Sequence, residues 1–259
     1  NSDWETEGND RADFNLPANQ NKLIESILDV NENTTVVINT GSPIKMPWAK
    51  KAKAIIQTWF AGQEYGNALF DILFGEVNPS GKLPTSFPVS IEDTPAFNCY
   101  PGKDLQMNYD EKLLVGYKWY EKKNIEPLFC FGHGLSYTNF CYENLEVIVK
   151  NNHEVSCKFT IKNLGDIAGA ETAQCYVGFL DPAEEEPNKT LQGFTKIDID
   201  ANESKDVEIK LLDRNFSYWS VDTNTWQIKG GSYQIYIGSS SQNISLKSVI
   251  NLEPVLEVL

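Results

Sequence analysis

The sequence predicts an α/β layer with a mostly parallel sheet, followed by an all-β sandwich. Three observations carry that reading. Helix and strand signals alternate through residues 18 to 90, and a stretch rich in Pro, Gly and aromatics runs from Asn78 to Thr138. After Tyr142 the helical period disappears and short alternating runs take over.

Each element has its own signal. In "NQNKLIESILDV", Leu23, Ile24, Ile27 and Leu28 recur at helical spacing on one face. "TTVVIN" is a β-branched run stopped by the turn "TGSP", as expected of a strand inside a parallel sheet, and "KAIIQTWF" repeats it. "GNALFDILFG" reads as a helix closed by Gly75. "NPSGKLPTSFP", "CYPGKD" and "PLFCFGHGLSYT" predict an irregular wrapping segment. Beyond it, "LEVIVKN", "EVSCKFTIKN", "AQCYVGFL", "KIDID", "DVEIKLL", "WQIKG" and "SYQIYIGSS" are about seven short strands split by turns, which suggests a β-sandwich. The boundary is placed near residues 141 to 145.

Composition narrows the function. The 259 residues carry a net charge of −14 without a basic cluster, which argues against nucleic acid and against an anionic membrane surface. No apolar run reaches the roughly 20 residues that span a bilayer. The chain starts at Asn1 rather than Met, so it is read as less than the whole primary product. Asn33, Asn188, Asn202, Asn215 and Asn243 each head an Asn-x-Ser/Thr sequon, which points to a secreted or lysosomal/vacuolar protein. Five cysteines without C-x-x-C, beside two histidines, make neither a zinc site nor a fully paired disulfide framework, and no metal or other cofactor is expected.

The opening "NSDWETEGNDRADFNLP" sets Glu5 and Glu7 one residue apart, behind Trp4 and ahead of Asp10 and Arg11. An arbitrary Glu-x-Glu in a loop is ordinarily a solvated charged stretch. Other motifs also take plain readings. "GQEYGNA" is a strand-to-helix turn that lacks both G-x-G-x-x-G and a phosphate-binding Lys. "FGHGLSYT" brings His133 and Ser136 together without a G-x-S-x-G elbow, so no hydrolase triad is expected there. Phe216, Tyr218, Trp219 and Trp226 are expected in the sandwich core.

Several blocks taken together carry a resemblance. "EGNDRADFNLP", "VVINTGSPIKMPW", "WFAGQEYGNALFDILFGEVNPSGKLPTSFP", "YDEKLLVGYKWY" and "PLFCFGHGLSYTNFCYENL" stand in this order, followed by "LGDIAGAETAQCYVGF", "LQGFTKIDI", "FSYW" and "GGSYQIYIGSSS". In that order the chain resembles the C-terminal part of a family 3 glycoside hydrolase of the β-glucosidase/β-xylosidase type. The resemblance implies that residues 1–141 are a partial αβα sandwich whose first strands are missing, with 91–141 as an irregular linker segment. Residues 142–259 would be a fibronectin III-like domain. It also implies a barrel domain, in the same protein or a cleaved partner chain, which supplies the nucleophilic Asp. The substrate would be a β-linked glucoside or oligosaccharide.

That chemistry gives the paired glutamates a use. A retaining glycosidase needs two carboxyl groups about 5 to 5.5 Å apart, one the nucleophile and one a proton donor that later acts as base. Aligned on "EGxDR", Glu7 takes the acid/base position, with Glu5 its rival because the register of this loop varies within the family. Asp10 and Arg11 would fix the loop, and Trp4 would flank the sugar. The family usually has Pro where Cys130 stands, which leaves a disulfide from Cys130 to Cys99 or Cys141 open. The competing reading is a non-catalytic secreted glycoprotein that reuses the scaffold for binding or assembly.

Overall fold

A computed structural model describes residues 7, 8, 11, 13–150 and 154–258. Helix α1 (Gln20–Val30) leads into strand β1 (Thr35–Ile38), followed by β2 (Ala54–Gln57) and helix α2 (Tyr65–Leu73). β1 and β2 pair in parallel, Val36 opposite Ile55 and Ile38 opposite Gln57. They bury Val36 and Ile38 with Leu16, Leu28, Ile44, Met46, Trp48 and Phe87 in a first core. Trp48 is 1% exposed, and its indole N–H donates to Asn21 Oδ1 on α1 at 2.9 Å, so the one polar atom of a buried ring is satisfied.

The expectation of a mostly parallel sheet is corrected here. Among the described residues parallel pairing is confined to β1–β2, and the other paired strands run antiparallel. The alternation read from sequence is real, but a βαβ rhythm with two strands yields one parallel pair. Its outer faces remain open. α2 has no buried residue, and Phe70, Leu73 and Phe74 are 52%, 45% and 70% exposed. On α1, Leu28 is buried while Leu23 is 59% exposed.

Residues 76 to 138 carry a one-turn 3-10 helix (Ile91–Asp93) and helix α3 (Tyr117–Lys123). The segment folds back on itself. Phe87 N–H donates to Phe129 C=O and Leu128 N–H to Phe87 C=O, both at 2.8 Å, and Leu83 and His133 are joined in the same way.

The sandwich begins with β3 (Phe140–Lys150), β4 (Glu154–Asn163) and β5 (Gly169–Phe179). It continues with β6 (Thr190–Ile199), β7 (Ser204–Leu212), β8 (Ser217–Ser220), β9 (Thr225–Ile228), β10 (Gly231–Gly238) and β11 (Ile244–Leu252). Two sheets, in the orders β11-β10-β5-β6 and β3-β4-β7, make the seven-stranded body, and β8–β9 is a separate hairpin. Period-two burial fills the space between the sheets. Val155, Cys157, Phe159 and Ile161 come from β4, and Ala173, Cys175 and Val177 from β5. A bulge in β3 between Glu143 and Glu146 holds Asn144 at φ 60°.

The structure closes one open alternative and corrects one expectation. All five cysteines are free thiols; Cys130 Sγ lies 3.4 Å from Ser240 Oγ rather than bonded to Cys99 or Cys141. Of the four aromatics assigned to the core, Phe216 is buried and Trp226 packs against the core, but Tyr218 and Trp219 are 48% and 46% exposed. They ride on the β8–β9 hairpin, outside the two sheets.

The two cores are joined along a polar seam. Lys82 Nζ donates to both Glu171 oxygens, at 3.3 and 3.2 Å, and to Gly134 C=O at 3.2 Å. Tyr142 O–H donates to Glu171 Oε1 at 2.7 Å. Asn78 Nδ2 reaches Ala168 C=O while its Oδ1 accepts from Ser136 Oγ and Tyr137 N–H. Lys189 meets Glu121, and Leu191 N–H donates to Tyr117 Oη at 2.7 Å. Contacts therefore cross from residues 78 and 82 as well as from the 91–141 segment.

Candidate active site

Among the described residues, Arg11 and Phe14 tie the opening loop to the fold. Arg11 is half-buried and donates from its guanidinium to Pro43 C=O at 3.3 Å. Three residues on, Phe14 is 8% exposed and its carbonyl accepts from Lys45 N–H at 2.7 Å. Asp13 accepts from Asn15 N–H at 2.8 Å and closes a local turn, which a short carboxylate does readily. Arg11 and Phe14 are thus bonded to Pro43 and Lys45, in the loop that leaves the C-terminal end of β1. Ahead of that anchor Glu7 and Gly8 form an exposed turn, and a Cβ added at Gly8 would meet nothing within 4 Å. Glu5, Trp4 and Asp10 lie outside the described residues.

Side chains stiffen the same edge. Gln57, the last residue of β2, donates from Nε2 to Thr40 C=O at 3.1 Å and to Thr40 Oγ1 at 3.3 Å. Thr40 Oγ1 in turn donates to Ser42 C=O, and Thr58 donates to Ile38 C=O from both N–H and Oγ1 at 2.9 Å. Both strand exits are fixed to each other, and Arg11 is fixed to one of them. The C-terminal edge of parallel strands is where open α/β sheets present their ligand loops. The part assigned to Arg11 was legible in the sequence. Phe14 and Leu16 were missed as anchors, although their apolar character beside Pro17 was the available signal.

The other sequence motifs take structural places. "FGHGLSYT" is a strap between the halves: His133 C=O accepts from Leu83 N–H, its ring stacks on Phe129 at 5.3 Å, and Ser136 Oγ bonds Asn78. Burial, with the nearby Lys82 ammonium, holds the His133 imidazole below its ordinary range. Gly134 is required by close approach, since a Cβ there would lie 2.0 Å from Gly81 C=O. "GQEYGNA" forms the turn from β2 into α2, as read.

The model of the glycosyl hydrolase family 3 C-terminal domain matches residues 1–137, more than half of the chain. The chain belongs to this family. A fibronectin type III-like domain model matches residues 171–241, within the β-sandwich. Thermostable beta-glucosidase B of Acetivibrio thermocellus is 41% identical over 259 residues, covering 99% of this chain and 34% of that protein. Beta-glucosidase B of Emericella nidulans is 40% identical over 265 residues, covering 97% and 31%. Among solved structures, the glucose complex of a Kluyveromyces marxianus beta-glucosidase superposes with a TM-score of 0.93 at 36% identity, over 98% of this chain and 31% of that one. A Bifidobacterium adolescentis family 3 beta-glucosidase gives 0.93 at 35% identity, over 98% and 38%. The chain spans about a third of the length of the curated relatives it matches.

Proposed function

We propose that this chain is the C-terminal portion of an exo-acting retaining β-glycosidase that hydrolyses terminal non-reducing β-D-glucosyl residues. Glu7 is its acid/base, Glu5 is the alternative, and the nucleophilic Asp comes from a barrel in the same protein or a cleaved partner chain. One observation carries the reading. Glu7 and Gly8 form an exposed turn shortly ahead of Arg11 and Phe14, which are bonded to the loop leaving β1, in a chain whose relatives are beta-glucosidases. A proton donor must be presented away from its own fold yet tethered to it, and an exposed Glu7 close in sequence to the fixed Arg11 supports that role.

In the first step the nucleophile attacks the anomeric carbon as protonated Glu7 delivers its proton to the glycosidic oxygen. In the second, the Glu7 carboxylate removes a proton from the water that attacks the anomeric carbon and displaces the carboxylate of the nucleophilic Asp. For the first step the carboxyl group must keep its proton near neutral pH, which burial or a neighbouring negative charge provides. Glu7 is exposed in this chain, so in this reading both come from the domain that closes over the loop. The open apolar face of α2, with Phe70, Leu73 and Phe74, is consistent with further structure packing on this half. The secreted or lysosomal/vacuolar route belongs to the same proposal. Asn33, Asn202 and Asn243 are exposed, whereas Asn215 uses its side chain to hold Gln192 C=O and Leu212 N–H.

The test is Glu7→Ala in the full-length protein. Loss of the acid should remove about 10² to 10⁴-fold of the rate on alkyl and oligosaccharide glucosides. Glycosylation by aryl glucosides with acidic leaving groups should fall less, and azide should restore turnover by replacing the base-activated water. If Glu7→Ala behaves as wild type while Glu5→Ala shows this pattern, the acid is Glu5.

A further inference from the structure

β2 ends in an unusual backbone. Trp59 has φ 52°, in the left-handed region that a bulky side chain occupies only where its surroundings enforce it. The enforcement is visible. Thr58, just before it, is bonded twice to Ile38 C=O, and the Trp59 ring packs 6.0 Å from the buried ring of Phe87. The turn throws the next side chain outward, leaving Phe60 82% exposed. Its ring lies across Gly41, where an added Cβ would sit 2.7 Å from two ring carbons. Gly41 is two residues from Pro43, whose carbonyl holds Arg11. The single stretch 41–43 thus carries the Phe60 ring at one end and holds Arg11 at the other.

We propose that Phe60 is a specificity-determining residue that forms an apolar wall for the leaving-group half of the glycoside. The inference rests on the acid/base reading of Glu7. The acid protonates the oxygen shared by the glycosyl unit and the leaving group, so the loops that bring it there border the leaving group. An aromatic face accepts the apolar face of a second pyranose or an aryl ring. Backbone strain that ends in an exposed phenylalanine gains the fold little burial, and a ligand at the strand exit gives it a use. Gly41 fits this reading, because any side chain there would displace the ring.

The test uses full-length protein and compares p-nitrophenyl β-glucoside and cellobiose with gluconolactone, an inhibitor confined to the glycosyl half. Phe60→Leu should lower kcat/KM for both substrates by on the order of 3- to 10-fold, with the gluconolactone inhibition constant unmoved. Phe60→Tyr, which keeps the ring, should restore the wild-type values. Two results overturn the inference: Phe60→Leu matching wild type on both substrates, or a loss accompanied by weaker lactone binding and a lower melting temperature, which would place Phe60 under a neighbouring domain. Wild-type protein that turns over neither substrate overturns the glycosidase reading and this inference with it. Active wild type, inactivated by Glu7→Gln but indifferent to Phe60→Leu, overturns this inference alone.

Discussion

Lys82→Met tests the seam between the two halves. Side chains of Lys82 and Glu171 are 13% and 5% exposed, and the ammonium spends its donors on the two carboxylate oxygens and on Gly134 C=O. Methionine fills similar volume but supplies no charge. Glu171 would then keep only the Tyr142 hydroxyl, which burial and the Glu171 carboxylate push far above the ordinary phenol range and so keep as a donor. Breaking a buried pair by removing one partner costs about 3 to 5 kcal/mol, because the remaining charge is stranded. With a melting shift of about 2 to 4 °C per kcal/mol for a chain of this size, the transition should fall by roughly 6 to 20 °C. Calorimetry of the full-length protein, read at the transition of this portion, would measure it. Lys82→Met/Glu171→Leu/Tyr142→Phe, which removes the whole polar group, should recover most of the loss. If the single variant loses less than about 1 kcal/mol, or the triple variant loses the sum of its parts, then the pair is solvated and the seam is held by something else.

Asn163 is 0% exposed, donates to Ile167 and Ile199 carbonyls, and accepts from Thr138 Oγ1 and Gly165 N–H, so Asn163→Ala should cost about 3 to 5 kcal/mol in denaturant unfolding. Gly134→Ala should cost about 1 to 3 kcal/mol through its clash with Gly81 C=O, while Gly81→Ala, with nothing within 4 Å, should be close to neutral in the same assay. His133 has a folded pKa below its unfolded value near 6.5, so the unfolded chain binds the extra proton; its contribution is complete above about pH 6.5 and is lost as pH falls from there through the folded value. Melting temperature measured down that range should therefore drop less steeply in His133→Phe than in wild type. Peptide mapping of protein from a secreting host should find glycan on the exposed Asn33, Asn202 or Asn243 in preference to the half-buried Asn215.

Local patterning made the strands legible. β4 reads Val155, Cys157, Phe159, Ile161 because alternate residues of a strand face one side, and the structure buries all four. Helix α2 was legible in extent, down to Gly75 at φ 78° beyond its end, but its burial was not. An apolar helix sequence says that a face is to be covered without saying whether the covering residues belong to the same stretch of chain. The parallel sheet was over-read for the same reason: "TTVVIN" and "KAIIQTWF" specify two strands and leave the number of neighbours open. Tyr218 and Trp219 escaped because alternation cannot separate a hairpin from a sheet that it leaves. At the candidate site, Glu7 and Arg11 stood out by their charge. The part given to Phe60 depends on a positive φ at Trp59, which a sequence without Gly there gives no reason to expect.

The pairing of 83–87 with 128–133 has a consequence for how the chain tolerates alteration. The chain from residue 88 to 127 leaves the first core at Phe87 and returns beside it at Phe129, with both ends fixed by backbone hydrogen bonds and α3 resting on the sandwich through Tyr117 and Glu121. Lengthening a closed loop costs only about 0.6 kcal/mol per doubling, so extra residues near the Lys103–Gln106 turn would perturb neither core. A cut at that turn would leave two polypeptides stitched by Phe87–Phe129, by the first core and by the Lys82–Glu171 seam. Such a nicked molecule would run as two bands in denaturant and as one particle in native buffer, its fold indifferent to the covalent break.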